Sequence, residues 1–433
     1  MTPAHTLPRR TLLSMARGED GVAVLRALSP AQHSKHLLLL TAVAARAAER
    51  RHPAAAVAAD ALAALHAVRR AAPLAAETVV RHPAVGSWAL AALRDLLHGG
   101  PAARPDRLAA VAASAAVLGR VAVELDLRAE ADGLTLPGLG RALVPPGRVV
   151  LRSDGRDTEL RAGRLRVCLP HDRYGETPHW QGLRRLPLHA PQARMRLLTD
   201  DVDPYRFPGS LERRSRLPAA ELRSWHERLG AGWRLLAGHH AWAAAECAEA
   251  FGVLVPLADP PSGYRSATSR AASGCLALSS PPGPAQVAEA LAHEAQHAKL
   301  AALIDMFDLV RPAPQGGYYA PWRSDPRPLG GLLQGAYAHL GIARFWRRQR
   351  ELERDRAAAF DAHARYARWR DAAAEVSASL LGSGGLTALG TAFVTEMRVV
   401  LASWQRDQVP PDALRHARRT ASRHRARWLS EHT

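Results

Sequence analysis

His293, Glu294 and His297 stand in the order H-E-x-x-H. On a helix, imidazoles four positions apart stack on one face, the geometry needed to hold one metal ion between them. Residues 286–304, QVAEALAHEAQHAKLAALI, predict that helix. Pro281, Pro282 and Pro284 come before it, and Val287, Leu291, Leu300, Leu303 and Ile304 recur at helical spacing. Two ligands do not complete a site, so a third is required. A metzincin would carry Gly and His where this chain has Leu300 and Leu303, which excludes that layout. Glu351 and Glu353 fall in the Arg-rich run RFWRRQRELERDR, which reads as a solvated face. Asp305 lies more than two turns beyond His297 along the same rod. His339 is the better candidate, because LLQGAYAHLGIARFW is long and apolar enough for a second core helix. The competing reading is a core histidine bonded to backbone.

Between these helices, QGGYYAPWRSDPRPLGG (315–331) is punctuated by Gly and Pro and reads as a loop. It concentrates Trp322, Arg323, Asp325 and Arg327. An arginine flanked by prolines suits a fork that clamps a carboxylate, though a surface pair between Asp325 and an arginine would look the same.

HEAQHAKL, YYAPWRSDPRPLGGLLQGAYAHLGIARFW and PSGYRSATSRAASG (261–274) together resemble the HExxH-motif family of peptide-modification proteins, understood as iron- and 2-oxoglutarate-dependent peptide β-hydroxylases. LSPAQHSKHLLLL, DVDPYRFPGS and a closing HRARW extend the resemblance over most of the chain. It implies Fe(II) on His293, His297 and His339, with Arg327, or Arg323 as alternate, holding the distal carboxylate of 2-oxoglutarate. Three protein ligands leave three octahedral positions, two for the keto-acid and one for dioxygen. Glu294 would then orient a ligand rather than act as a base. The implied partner is a ribosomally made precursor peptide, beside a radical-SAM maturase of the same pathway. Where a Phe-Gly pair is expected after SATSR, this chain has Ala272, Ser273 and Gly274, so a pocket wall differs.

The elements that must position these residues follow from the wider pattern. The 433 residues are 47% hydrophobic, enough for a packed core. Residues 1–132 read as an N-terminal helical region, 133–192 as a small β-rich segment of hairpins, and 193–433 as a helical region carrying the motif. The expected fold class is mainly α: a multi-helix metalloenzyme with a small antiparallel β segment. Cys168, Cys247 and Cys275 form no C-x-x-C and no even-numbered framework, which favours a reduced, cytoplasmic setting. PRRTLLSMARGEDG mimics a twin-arginine signal, but its apolar stretch is too short, and no run approaches a membrane span. The net charge of +18 comes almost wholly from arginines spread along the chain. No finger, helix-turn-helix or stacking motif turns that charge into nucleic-acid readout.

Several residues invite function and also carry plainer readings. His33, Lys35 and His36 near a helix start read as solvated capping-region residues. In HDRYGETPHW, His171, His179 and Trp180 read as a polar connection or a groove lining. Trp225, Trp233 and Trp242 share a face that means core. Ser266, Thr268, Ser269 and Arg270 suit either a capped loop or support of the metal ligands, and CLALSS (275–280) reads as a strand that offers an edge to a peptide. The basic stretch DALRHARRTASRHRARW is a solvated helix or a contact for an acidic leader peptide. The leading expectation is Fe(II)- and 2-oxoglutarate-dependent hydroxylation of a side-chain β-carbon. The alternatives are a zinc metallopeptidase with Glu294 as general base, and a non-catalytic peptide-binding maturation partner with a structural metal.

Overall fold

The computed structural model describes the chain except residues 1–4, 101–102, 210–212, 214, 313–316 and 433. Pro101, Ser210, Gln315 and Gly316, which fall within stretches singled out above, lie outside the described residues. The fold is mainly α. An N-terminal layer comprises α1 (Arg9–Ala16), α2 (Gly21–Glu49), α3 (Ala55–Ala71), α4 (Pro73–Val80), α5 (Pro83–His98) and α6 (Leu108–Gly119). Strands follow: β1 (Ala122–Ala129), β2 (Leu134–Leu136), β3 (Gly140–Ala142), β4 (Gly147–Asp154), β5 (Thr158–Ala162), β6 (Leu165–Cys168), β7 (Glu176–Thr177), β8 (Trp180–Gly182), β9 (Arg184–His189) and β10 (Arg194–Thr199). Then come α7 (Ala219–His239), α8 (Ala241–Ala250), β11 (Val253–Pro256), β12 (Ser266–Ala267) and β13 (Cys275–Leu278). The chain closes with α9 (Pro284–Ile304), α10 (Leu329–Gln349), α11 (Arg356–Gly382), α12 (Ala388–Trp404) and α13 (Pro411–His432). No helix among the described residues is long and apolar enough to cross a membrane.

The β structure exceeds the expected 133–192 segment. It begins at Ala122, because Arg120 adopts a left-handed conformation (φ 52°) that stops α6. The alternating AVELDLRA then pairs antiparallel with β4, so the helical pattern read through to residue 132 gives way ten residues early. Nor is the β part all antiparallel. The five-stranded sheet runs β12-β13-β11-β10-β9, with β11 parallel to both β10 and β13. CLALSS is therefore internal at its far end: β12 covers Ala277 and Leu278, which removes that stretch as a free edge for a peptide.

Two apolar cores are built on one rod. The first half of α2 gives Val24 and Leu28 to the core around α9–α12, and the second half gives Leu40, Val43 and Ala47 to the core of α3–α6 and the antiparallel sheets. His36 sits midway along this helix. It is buried, with Nδ1 donating to the Val80 carbonyl at 2.7 Å, so it is no solvated cap. Trp180 is likewise fully buried in β8, which takes it out of any peptide groove, while His171 and His179 are exposed. Trp225 and Trp233 are core, as their spacing suggests; Trp242 starts α8 after the break at His240 and lies under Arg344.

Charge is also buried behind the motif helix. Lys299 is wholly enclosed, its Nζ 2.7 Å from Glu246 Oε2, which also accepts from Gln296 Nε2 at 2.9 Å. A side chain at Gly21 would collide with that carboxylate, which explains the glycine at the start of α2. Lys299→Ala leaves Glu246 uncompensated, and a loss of about 3–5 kcal/mol is expected in urea unfolding.

Burial also sets a pH dependence. His36, His82 and His240 are each pushed from 6.5 to about 4, chiefly by burial. Between those values the unfolded chain takes up protons that the folded chain refuses, so stability falls as pH drops through the window, by up to about 3 kcal/mol per imidazole. Asp200 acts oppositely, since burial and the neighbouring Asp203 raise it to about 7 and the folded state then holds a proton the unfolded chain releases. Three imidazoles outweigh one carboxyl below 6.5. The urea midpoint should therefore be lower at pH 5 than at pH 7, and a higher one would refute the balance.

Candidate metal centre and its cavity

Pro284 opens α9 at the first helical position, where its missing N–H costs nothing, and Pro328, in extended conformation, is the N-cap of α10. The two helices pack closely because Gly341 admits Gln296; a Cβ there would stand 2.4 Å from Gln296 Cγ. This contact brings the faces bearing His293, His297 and His339 to one cavity of about 520 Å³, within the usual range for small-molecule sites.

His297 Nε2 lies 3.1 Å from His293 Nε2. Two cis nitrogens that share an octahedral ion at about 2.1 Å are separated by about 3.0 Å, so this spacing suits a common metal as well as it suits a hydrogen bond. His297 Nδ1 is 3.2 Å from Gln334 Oε1, and an N–H donated there leaves Nε2 turned to His293. His339 is held the same way: Nδ1 donates to the Gly335 carbonyl at 2.9 Å, and burial drops its pKa to about 3, so the imidazole is neutral with Nε2 left unprotonated. His293 is pushed well below its ordinary value by burial, then by His297 and His339. Its ring centroid is 5.5 Å from that of His339, which stacks on Trp322 at 4.2 Å and meets Trp369 at 4.8 Å. Among the described residues no three His, Cys, Asp or Glu side chains are gathered tightly enough to hold an ion as they stand. The His293–His297 pair is preset, and His339 lies one ring away, fixed by the indoles.

The chain matches no family model and no curated protein.

Glu294, adjacent in sequence, is not among the residues lining this cavity. It is buried, and Oε1 accepts from Ser266 Oγ at 2.7 Å. Of the hydroxyl-rich SATSR segment, then, Ser266 buttresses the motif, whereas Arg270 pairs with Asp305. Asp305 is further occupied by Lys35, with Nζ at 2.8 Å, which accords with its exclusion as a ligand.

Arg323 and Arg327 both line the cavity. Asp325 lies between them, 2.7 Å from Arg323 Nε and 3.1 Å from Arg327 Nη1, and the two cations, Arg323 first, hold its carboxyl down to about 2. The plainer reading of this loop, a pair between Asp325 and an arginine, is present with both arginines. Arg327 is the more constrained arginine. Its backbone bridges Tyr318 through two 2.9 Å bonds, and its Nε and Nη2 lie over Gly331, where a Cβ would come within 3.2 Å of each. With Nη1 on Asp325, that Nε/Nη2 edge meets no carboxylate among the described residues. A glycine also admits Trp322, since a Cβ on Gly335 would strike its ring at 2.4 Å.

Glu289, Gln334 and Trp369 also line the cavity and were not singled out from sequence. Glu289 had a signal, for it precedes His293 by four and so continues the same helical face. Its Oε1 accepts from Trp346 Nε1 at 2.8 Å, and burial raises its pKa. Gln334 sits in the first turns of α10 with nothing to distinguish it, and Trp369 arrives from α11, too distant in sequence for spacing to reveal.

Proposed function

We propose that the protein is an Fe(II)- and 2-oxoglutarate-dependent oxygenase that hydroxylates a side-chain β-carbon in a ribosomally made peptide, in the cytoplasm and alongside a radical-SAM maturase. One observation carries this reading: His297 and His339 each turn Nδ1 to a protein acceptor, leaving Nε2 as the donor available on a cavity that His293, Arg323 and Arg327 also line. The resemblance in HEAQHAKL and YYAPWRSDPRPLGGLLQGAYAH supports the choice of iron and keto-acid.

Within that reading His293, His297 and His339 hold the iron, which with the keto-acid supplies oxygen activation. The protein's own part is positional. Gln334 and the Gly335 carbonyl fix two tautomers, and Trp322 and Trp369 keep water from the His339 ring. Arg327 offers its Nε/Nη2 edge to the distal carboxylate, with Asp325 holding the guanidinium in place. Glu294 accepts at Oε1 from Ser266, itself a lining residue, and braces the helix against β12. A zinc peptidase would instead need Glu294 Oε2, which meets no hydrogen-bond partner among the described residues, to reach a metal-bound water.

Anaerobic addition of Fe(II) and then 2-oxoglutarate tests the proposal. A visible charge-transfer band in the wild type that weakens in Arg327→Ala supports keto-acid chelation. Tight zinc binding with no such band, and peptide cleavage lost in Glu294→Gln, would replace it with hydrolysis.

A further inference from the structure

Helix α13 buries only Ala413 and Ala417, against α11. Along its remaining surface stand Arg415, Arg418, Arg419, Arg423 and Arg427, all exposed. Of the helix's arginines, Arg425 alone has a carboxylate partner among the described residues, Glu375. A solvated helix usually interleaves signs, and this one has only Asp412 and Glu431, at its two ends, to offset its arginines.

The position of the helix matters as much as its charge. Tyr319 Oη is 3.0 Å from His424 Nδ1, its ring centroid is 5.3 Å from that of Trp428, and Arg425 lies over the same ring. Tyr319 belongs to the loop that carries Trp322, Arg323 and Arg327 to the cavity rim. On α11, Arg368 lies 4.4 Å over the ring of Trp369, a cavity-lining residue, and it too has no carboxylate partner among the described residues. The arginine track of α13 thus abuts, through His424, Arg425 and Trp428 on Tyr319, the loop that reaches the cavity rim, where Arg368 lies against the lining residue Trp369.

From this track we infer that α13 docks an acidic segment of the polypeptide substrate, outside the residues that enter the cavity. The inference rests on the peptide-substrate reading. Guanidinium groups without internal partners attract carboxylates over about a Debye length and pair with them bidentately on contact. No aromatic ladder accompanies the arginines on the helix's exposed face, where single-stranded nucleic acid would find stacking partners. The segment would raise the local concentration of the reacting residue at the mouth without touching the metal.

The test uses the full-length protein and a fluorescein-labelled synthetic 20-residue peptide with alternating Asp and Glu, followed by anisotropy at physiological salt. Replacing Arg415, Arg418, Arg419, Arg423 and Arg427 by Gln should weaken binding at least tenfold. A control with Gln at Arg70, Arg94, Arg128, Arg156 and Arg164, exposed elsewhere and without carboxylate partners among the described residues, should change it less than twofold; far-ultraviolet circular dichroism checks that both variants fold. Equal losses in the two variants overturn the proposal. So does a single-stranded oligonucleotide of the same length that binds more tightly than the peptide and depends on the same arginines. The two readings fail separately. Peptide bound at α13 but never oxidised in a precursor context removes the hydroxylase alone, whereas oxidation indifferent to the α13 substitutions removes the docking surface alone.

Discussion

Alanine at His297 should lower Fe(II) affinity by more than about 100-fold, since disturbing merely an outer partner of a metal ligand costs 10–100-fold. The expectation follows from the 3.1 Å separation of His297 Nε2 and His293 Nε2, a preset donor pair in the cavity. Removing one member leaves His293 without its partner and His339 still clasped between Trp322 and Trp369. Under the proposed function, oxidation of the peptide should vanish with the metal, while the fold survives, because His297 is only partly buried. Anaerobic equilibrium dialysis against Fe(II), with a urea curve on the same protein, separates these outcomes. Wild-type iron uptake by the variant would mean that the histidine pair is not a metal site.

The second large effect divides oxygenase from hydrolase. Arg327→Ala removes a charge-assisted fork, worth on the order of 3 kcal/mol, and should weaken 2-oxoglutarate about 100-fold while leaving Fe(II) binding nearly unchanged. Arg323→Ala should do less, because its guanidinium is half-exposed and turned to Asp325. Glu294→Gln should alter the keto-acid and metal titrations by only a few-fold, because its carboxylate accepts from Ser266 and the amide oxygen preserves that bond. The opposite ranking, with Glu294 essential and Arg327 dispensable, fits a general base and contradicts the oxygenase. Titrating 2-oxoglutarate against the charge-transfer band in the three variants decides the order.

What could be read in the sequence was whatever rested on local period. The H-E-x-x-H spacing, the apolar surround of His339 and the Gly- and Pro-punctuated loop each have a short-range cause, and the structure brings them to one cavity. The outer partners were hidden for a physical reason. Gln334 and Trp369 matter only because α10 and α11 pack where they do, and Gly335 gave no hint that its missing side chain seats Trp322. His36 was misread as solvated because nothing local reveals that α2 runs on through Pro30 and that Val80 supplies an acceptor from another helix. β1 was read as helix because six alanines and apolar neighbours lead into it, and only the left-handed Arg120 marks the switch.

Helix α2 is where these threads meet. Its first turns help enclose the Lys299–Glu246 pair behind the motif helix, and its last turns close the N-terminal core. The half that carries the H-E-x-x-H helix therefore has no detachable boundary upstream. A fragment starting after residue 50 would open both interiors at once, and the chain should melt in one cooperative step rather than as two modules, so that any protein engineered to isolate the cavity has to keep this rod whole.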